Sequence, residues 1–194
     1  MSDFKSKLNP PKNSLIFLKG GSRYYDYDDD CGHSYFAQEI SFFWCFGINF
    51  PDCYGVIDVH SGKSTIFAKE VSTREKVWSF VLDPEDYANK FEIDEAQTSD
   101  KLEEFFSKAN PSTVYVLEGI NSYCGFSPLR PDFDWLTLYN VNTNALYPLI
   151  NEARVNKSND EIELLRQAGE LASDGHVFVM QNFKPGMNES HVSS

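Results

Sequence analysis

Residues 42–68 read FFWCFGINFPDCYGVIDVHSGKSTIFA, and how this stretch divides decides what kind of sheet the chain builds. Three apolar runs, 42–48, 54–59 and 64–68, have the length and the aromatic or β-branched content of strands. Residues 49–53, with Pro51, part the first run from the second. His60-Ser61-Gly62-Lys63 is a hairpin turn between the second and third, because Gly62 admits the positive φ that such a turn needs. Strands joined this closely pair antiparallel, so the stretch predicts a meander. On this reading Trp44 sits between Phe43 and Cys45 on a strand and belongs to the core.

Working outward, residues 14–19 (SLIFLK) form a short apolar run closed by Gly20-Gly21, a buried strand ending in a turn. Residues 1–13 are polar, end in Asn9-Pro10-Pro11-Lys12-Asn13, and read as a flexible lead-in. Downstream the pattern becomes helical. Residues 73–81 carry Val77, Phe80 and Val81 on one side. Asp83 caps the next helix with Pro84 at its first position, and Ser99 caps a third in which Leu102, Phe105 and Phe106 face inward. Residues 113–117 (TVYVL) are a β-branched strand, 136–141 another, and 144–155 a helix or turn leading to a junction at Asn156-Lys157. Helices alternating with a sheet that begins as a meander indicate a mixed α/β or α+β layer fold.

The end of the sequence carries its own signal. Residues 157–189 read KSNDEIELLRQAGELASDGHVFVMQNFKPGMNE. Ser158 and Glu161 have the spacing of a capping box, in which each side chain satisfies the other residue's backbone N–H. Behind it Ile162, Leu165, Ala172 and Val179 form one apolar stripe and Leu164, Ala168, Leu171 and Phe178 a second. A helix with two stripes requires neighbours on both sides, and little sequence follows Pro185-Gly186 to supply them. The expectation is one folded domain over residues 14–155, followed at 156–194 by a linker and the first helix of a missing domain.

Composition excludes several classes. With 41% hydrophobic and 15% aromatic residues the chain can build a real core. A formal charge of -12 argues against nucleic acid or an anionic membrane as partner, since both need clustered Lys and Arg. No signal peptide opens the sequence and no run reaches the 18 or more apolar residues of a membrane span, so the expected location is cytoplasmic. Cys31, Cys45, Cys53 and Cys124 are scattered without a C-x-x-C pair, and Cys45 and Cys53 read as small buried hydrophobes.

Candidate chemistry is sparse. Asp26, Asp28, Asp29, Asp30 and His33 begin like a calcium loop, yet its sixth and twelfth positions are Cys31 and Ala37 where Gly and Glu are required. A solvated acidic loop is the better reading. His60, His176 and His191 lack a carboxylate or cysteine at ligand spacing. Gly119 and Gly125 stand six apart with no Lys-Ser/Thr after them, so residues 119–125 read as a plain loop. From its residues alone the chain carries no self-sufficient active site, and neither a catalytic nor a metal-ligating residue is assigned.

Three segments together resemble one family. FLKGG at 17–21, QEISFFWCFGINFPDCYGVIDVHSGKSTIFAK at 38–69 and the helix at 157–189 are similar in order and spacing to the start of Xaa-Pro dipeptidases (prolidases), and more loosely to aminopeptidase P and creatinase. Gln38-Glu39, the Pro51-Asp52-Cys53-Tyr54-Gly55 run and the junction from Lys157 to Arg166 carry most of the likeness. The resemblance implies an α/β fold: a mixed sheet with helices on both faces, ribonuclease-H-like, over 14–155. It further implies that 156–194 open a pita-bread metallopeptidase domain. There two Asp, one His and two Glu would hold two manganese ions and hydrolyse the imide bond of X-Pro dipeptides.

Those ligands would lie beyond Lys184-Pro185-Gly186-Met187-Asn188-Glu189, so the resemblance implies that this stretch alone is inactive. The role left to it is to join a homodimer and roof the partner subunit's active site, with Trp78 as the substrate contact in trans. Two alternatives stay open: a non-catalytic interaction module reusing the fold, or aminopeptidase P rather than dipeptidase specificity.

Overall fold

The computed structural model describes residues 8–24, 36–72, 76–77 and 82–193. The chain divides into two units, Met1–Asn151 and Glu152–Ser194. Among the described residues the first unit holds six strands: β1 (Ser14–Lys19), β2 (Cys53–Asp58), β3 (Ser64–Ala68), β4 (Glu95–Thr98), β5 (Thr113–Val116) and β6 (Val141–Asn142). They form a single sheet in the order β4-β3-β2-β1-β5-β6. β2 pairs antiparallel with β1 and β3, while β1 with β5, β5 with β6 and β3 with β4 pair parallel. β2 therefore runs against the other five. The chain leaves β1 toward β2, β3 and β4 on one side and returns to β5 on the other, so the winding reverses at the β1–β5 seam.

Side chains alternate across β1, and this places a core on each face. Ile16 and Leu18 join Phe42, Phe46, Ile48, Tyr87, Leu146 and Ile150 on one side. That side is covered by α1 (Ile40–Phe46), α2 (Pro84–Phe91) and α4 (Leu146–Ala153). Leu15 and Phe17 join Val56, Phe67, Leu102, Phe106 and Leu136 on the other, under α3 (Leu102–Ala109) and a 3-10 turn at Asp134–Leu138. Phe17 is fully buried among Tyr54, Phe106, Phe133 and Trp135, its ring 5.0 Å from that of Phe106. Burying such a side chain contributes about 1.5–3 kcal/mol. Helices on both faces of a mixed sheet are what the family resemblance implied.

The structure corrects the sequence reading in three places. The run expected as a strand at 42–48 is α1. Glu39 caps it by accepting from the Phe42 N–H at 2.7 Å, and Phe42 and Phe46, four apart, pack their rings 4.9 Å apart against the core. Trp44, expected in the core, lies on the helix's outer side and is 42% exposed; Cys45 is only partly buried. Residues 136–141 are not one strand but the tail of the 3-10 turn followed by the two-residue β6. The antiparallel meander is β1-β2-β3, with β1 in the place expected of the 42–48 run, and β4 was not foreseen.

Other expectations hold. Asp83 caps α2 in a capping box with Asp86, and Pro84 opens the helix. The 60–63 turn joins β2 to β3 with Gly62 at φ +80°. Within it Asp58 Oδ1 accepts from the N–H of His60 (2.9 Å) and of Ser61 (2.6 Å), Asp58 O accepts from Gly62 N–H (2.8 Å), and Asp58 N–H donates to Lys63 O (2.9 Å).

The second unit contains α5 (Asn159–Asn182) and the short α6 (Ser190–Ser193). Ser158 and Glu161 close the predicted capping box, with Ser158 N–H 2.7 Å from Glu161 Oε2. No residue of α5 is buried, and Leu164, Leu165, Leu171 and Phe178 are exposed. No helix among the described residues is long and apolar enough to cross a membrane.

Candidate functional surface

Among the described residues no group of three His, Cys, Asp or Glu side chains stands close enough to hold a metal ion. They do not fit the two-metal site that the resemblance attaches to the family. The acidic stretch from Asp26 to His33 and Trp78 lie outside the described residues. His60 Nε2 lies 2.9 Å from Pro11 O at the hairpin tip. Cys53 is buried with its Sγ 3.9 Å from Tyr87 Oη, and burial pushes its thiol up to about 12, so it stays protonated and unreactive.

The most recognisable sequence signals prove to be structural. All four hydrogen-bonding valences of the Gln38 amide are used. Oε1 accepts from the N–H of Gly21 (2.5 Å) and Glu39 (2.9 Å), while Nε2 donates to Ile48 O (3.1 Å) and Phe50 O (2.8 Å). One side chain thus ties the exit of β1, the entry of α1 and the approach to β2, and Gln38-Glu39 works as a clamp followed by a cap. Gly55 acts through what it lacks: a Cβ there would sit 2.2 Å from Phe46 Cε2, so only glycine lets that ring lie on β2.

What remains for function is a surface. β1, β3 and β5 run parallel, so their carboxyl ends open on one edge of the sheet. Open α/β sheets bind ligands outside such an edge, where the winding reverses, here the β1–β5 seam. The segment 118–130 leaves from this edge. Glu118 and Arg130 at its ends pair at 2.7 Å. Between them Asn121 Oδ1 accepts from the N–H of Tyr123 (2.9 Å) and Cys124 (3.3 Å), Asn121 O accepts from Gly125 N–H (2.8 Å), and Asn121 N–H donates to Phe126 O (2.9 Å). On this internally bonded loop Tyr123 is 99% exposed, Phe126 76% and Ile120 71%.

Sequence reasoning passed over these residues as a plain loop. The signal available was compositional: residues 119–129 hold no charged side chain in a chain that is 24% charged. Elsewhere a groove of about 340 Å³ beside β4 and α3 is lined by Gln97, Lys101, Glu104, Phe105 and Lys108. Glu104 pairs with Lys108 at 2.7 Å and lies 3.9 Å from Lys101, so its charges are spent on one another rather than on a ligand.

Comparison with known proteins agrees with this architecture. Residues 2–115 match the family model described as the aminopeptidase P N-terminal domain. The Xaa-Pro dipeptidase of Homo sapiens is 35% identical over 182 residues, which is 93% of this chain and 37% of that protein. A probable Xaa-Pro aminopeptidase of Paracoccidioides lutzii is 31% identical over 96% of this chain and 36% of its own length. The chain thus spans little more than a third of the curated relatives it matches. Among solved structures the aminopeptidase PepP of Pseudomonas aeruginosa superposes with a TM-score of 0.77 at 20% identity, covering 99% of this chain and 47% of that one, a likeness of fold.

Proposed function

The chain belongs to the aminopeptidase P and prolidase family through its N-terminal domain, and on that premise we propose that it is the N-terminal domain of an Xaa-Pro dipeptidase. The observation that carries this reading is the 35% identity to the human Xaa-Pro dipeptidase over 93% of the chain, against 31% for the fungal aminopeptidase. The proposed enzyme is cytoplasmic, uses two manganese ions held by residues outside this chain, and hydrolyses dipeptides with proline second. This domain's part is to join two subunits and to roof the partner's active site. Trp78 is the side chain proposed to line the partner's proline pocket, where an aromatic wall adds apolar contact and excludes water.

Three measurements test the reading. Residues 1–194 alone, incubated with Gly-Pro and manganese, should release no proline, and metal-dependent cleavage above a blank would reject the proposal. The enzyme that carries this domain should hydrolyse Gly-Pro and leave an X-Pro tripeptide intact; the reverse preference would make it an aminopeptidase. In that enzyme Trp78→Ala should weaken substrate binding by about 1–3 kcal/mol, seen as a raised KM with little change in thermal stability.

A further inference from the structure

We propose that residues 9–13 are a strap that latches the seam between β1 and β5 and couples the hairpin tip at 58–63 to the turn between α3 and β5. The parallel pairing of β1 with β5 sets Ser14 opposite Thr113. Closing so long a stretch of chain costs entropy that neighbouring contacts do not offset.

A polar stretch ahead of a first strand ordinarily frays, but the backbone of this one is set by its residue types. Pro10 and Pro11 fix their own φ. Asn9 and Asn13, on either side of Pro10-Pro11-Lys12, stand at φ +41° and +60°, a left-handed region that Asn tolerates better than most side chains. Backbone restricted in this way has few alternative conformations to lose on folding.

The carbonyls of residues 11, 12 and 13 each reach a distant segment. Pro11 O lies 2.9 Å from His60 Nε2, and since a carbonyl only accepts, the pairing needs the ring proton on that nitrogen. Lys12 O accepts from Ser112 Oγ (2.6 Å), and Asn13 O from Ser112 N–H (2.9 Å). The Asn13 side chain adds two more bonds. Its Nδ2 donates to Ala109 O and Asn110 O, both at 2.9 Å, carbonyls of the kind that a helix end leaves without an intrahelical partner. β2 and β5 flank β1 in the sheet. One short stretch therefore bonds the hairpin on one side of β1 and the α3–β5 turn on the other, at the amino end of the seam.

Native-state hydrogen exchange of the 194-residue chain, followed amide by amide by NMR, tests the proposal, because a latch acts locally. Asn13→Gly keeps the positive φ accessible and removes the side-chain bonds to α3; Ser112→Ala removes the hydroxyl bond to Lys12. Together they should speed exchange of the β1 and β5 amides by roughly 10-fold or more, the loss of two to three net hydrogen bonds, and leave α2 and β4 unchanged. His60→Ala, on the other side of β1, should speed the Ser112 and Thr113 amides by roughly 3-fold. Made in the Asn13→Gly, Ser112→Ala chain, it should add nothing at those amides. All three side chains are exposed, so circular dichroism of the variants should match the native chain; should the double variant unfold, His60→Ala alone decides.

Acceleration spread evenly over the sheet would make these bonds ordinary contributors to global stability and overturn the proposal. Unchanged exchange at β1 and β5 overturns it too, and so does a His60→Ala effect that stays within the hairpin.

Discussion

The turn at 58–63 and the turn at 121–126 are built on one hydrogen-bond plan, yet one serves folding and the other faces outward. In each, the first residue's side-chain oxygen accepts from the N–H groups two and three positions on. Its carbonyl accepts from a glycine four on, and its N–H donates to the carbonyl five on. Gly62 stands at φ +80° and Gly125 at φ +74°. The differences lie in what the plan carries. In the first turn Val59 is buried at 2% exposure, the tip is His60-Ser61-Gly62-Lys63, and the ends run into β2 and β3. In the second the tip is Ser122-Tyr123-Cys124-Gly125, the aromatics are exposed, and neither end enters a strand. Backbone satisfaction makes a turn ordered. Its role is set by where its apolar side chains go.

The largest test of this contrast is truncation. Val59→Ala removes less side chain than Tyr123→Ala, but it does so inside the core, in the cluster that holds Ile16 and Ile57. It should cost about 2–3 kcal/mol, near the lower end of aliphatic-to-alanine losses in cores. Tyr123→Ala should stay within about 0.5 kcal/mol, as exposed substitutions do, when urea unfolding is followed at a concentration too low for association. Equal losses at the two sites would mean that the second turn is packed in a way its exposure denies.

The glycines give the next test. Valine at a positive φ crowds its Cβ against the backbone and costs about 1–2 kcal/mol. Gly62→Val should show most of that as lowered stability, because β2 and β3 hold the turn's ends in register. Gly125→Val should show less than half, since the second turn can rearrange without shifting a strand. A Gly125→Val chain that unfolds as early as Gly62→Val would erase the distinction.

The two turns also show how far the sequence can be read. Gly62 was legible as a hairpin because apolar, β-rich runs flank it on both sides. Gly125, with the same offset from Asn121 that Gly62 has from Asp58, was not, because nothing strand-like adjoins it. β1, β3, β5, α2 and the cap of α5 were likewise legible from local pattern or capping chemistry. The failures are places where tertiary contacts outvote local preference. Residues 42–48 are aromatic enough to pass for a strand. Burial of Phe42 and Phe46 at a four-residue spacing, the Glu39 cap and the room left by Gly55 make them a helix. β4 is Glu95-Ala96-Gln97-Thr98, an edge strand whose four half-buried residues lack β-branched runs and which exists by pairing with β3. The clamp at Gln38 was visible as part of a family resemblance, but its meaning was not, since three of its four partners lie 10 to 17 residues away, beyond the reach of a local pattern.

The smallest effect is the one that separates the first residues of the two turns. Partial burial pushes the Asp58 carboxyl up. The Ser61 N–H and hydroxyl, the His60 N–H and the nearby His60 ring outweigh it and hold the group below its ordinary value of 3.8. A carboxyl whose folded value is depressed contributes stability that is present above its unfolded value and is lost as pH falls through the folded one. The native chain should therefore lose stability from the Asp58 turn only below about pH 4, in the acid direction and not the alkaline one. Asp58→Asn keeps an amide oxygen to accept the same two N–H bonds but cannot titrate, so its stability relative to the native chain should rise as pH drops from 5 to 3. Asn121→Asp is the converse. It puts a titratable acceptor in the second turn, and since that loop contributes little to global stability its urea midpoint should track the native chain's between pH 5 and 3. Urea midpoints for both variants, each at pH 5 and 3, are the measurements. A native chain and an Asp58→Asn chain that weaken in parallel would show that Asp58 forms its bonds without holding the turn.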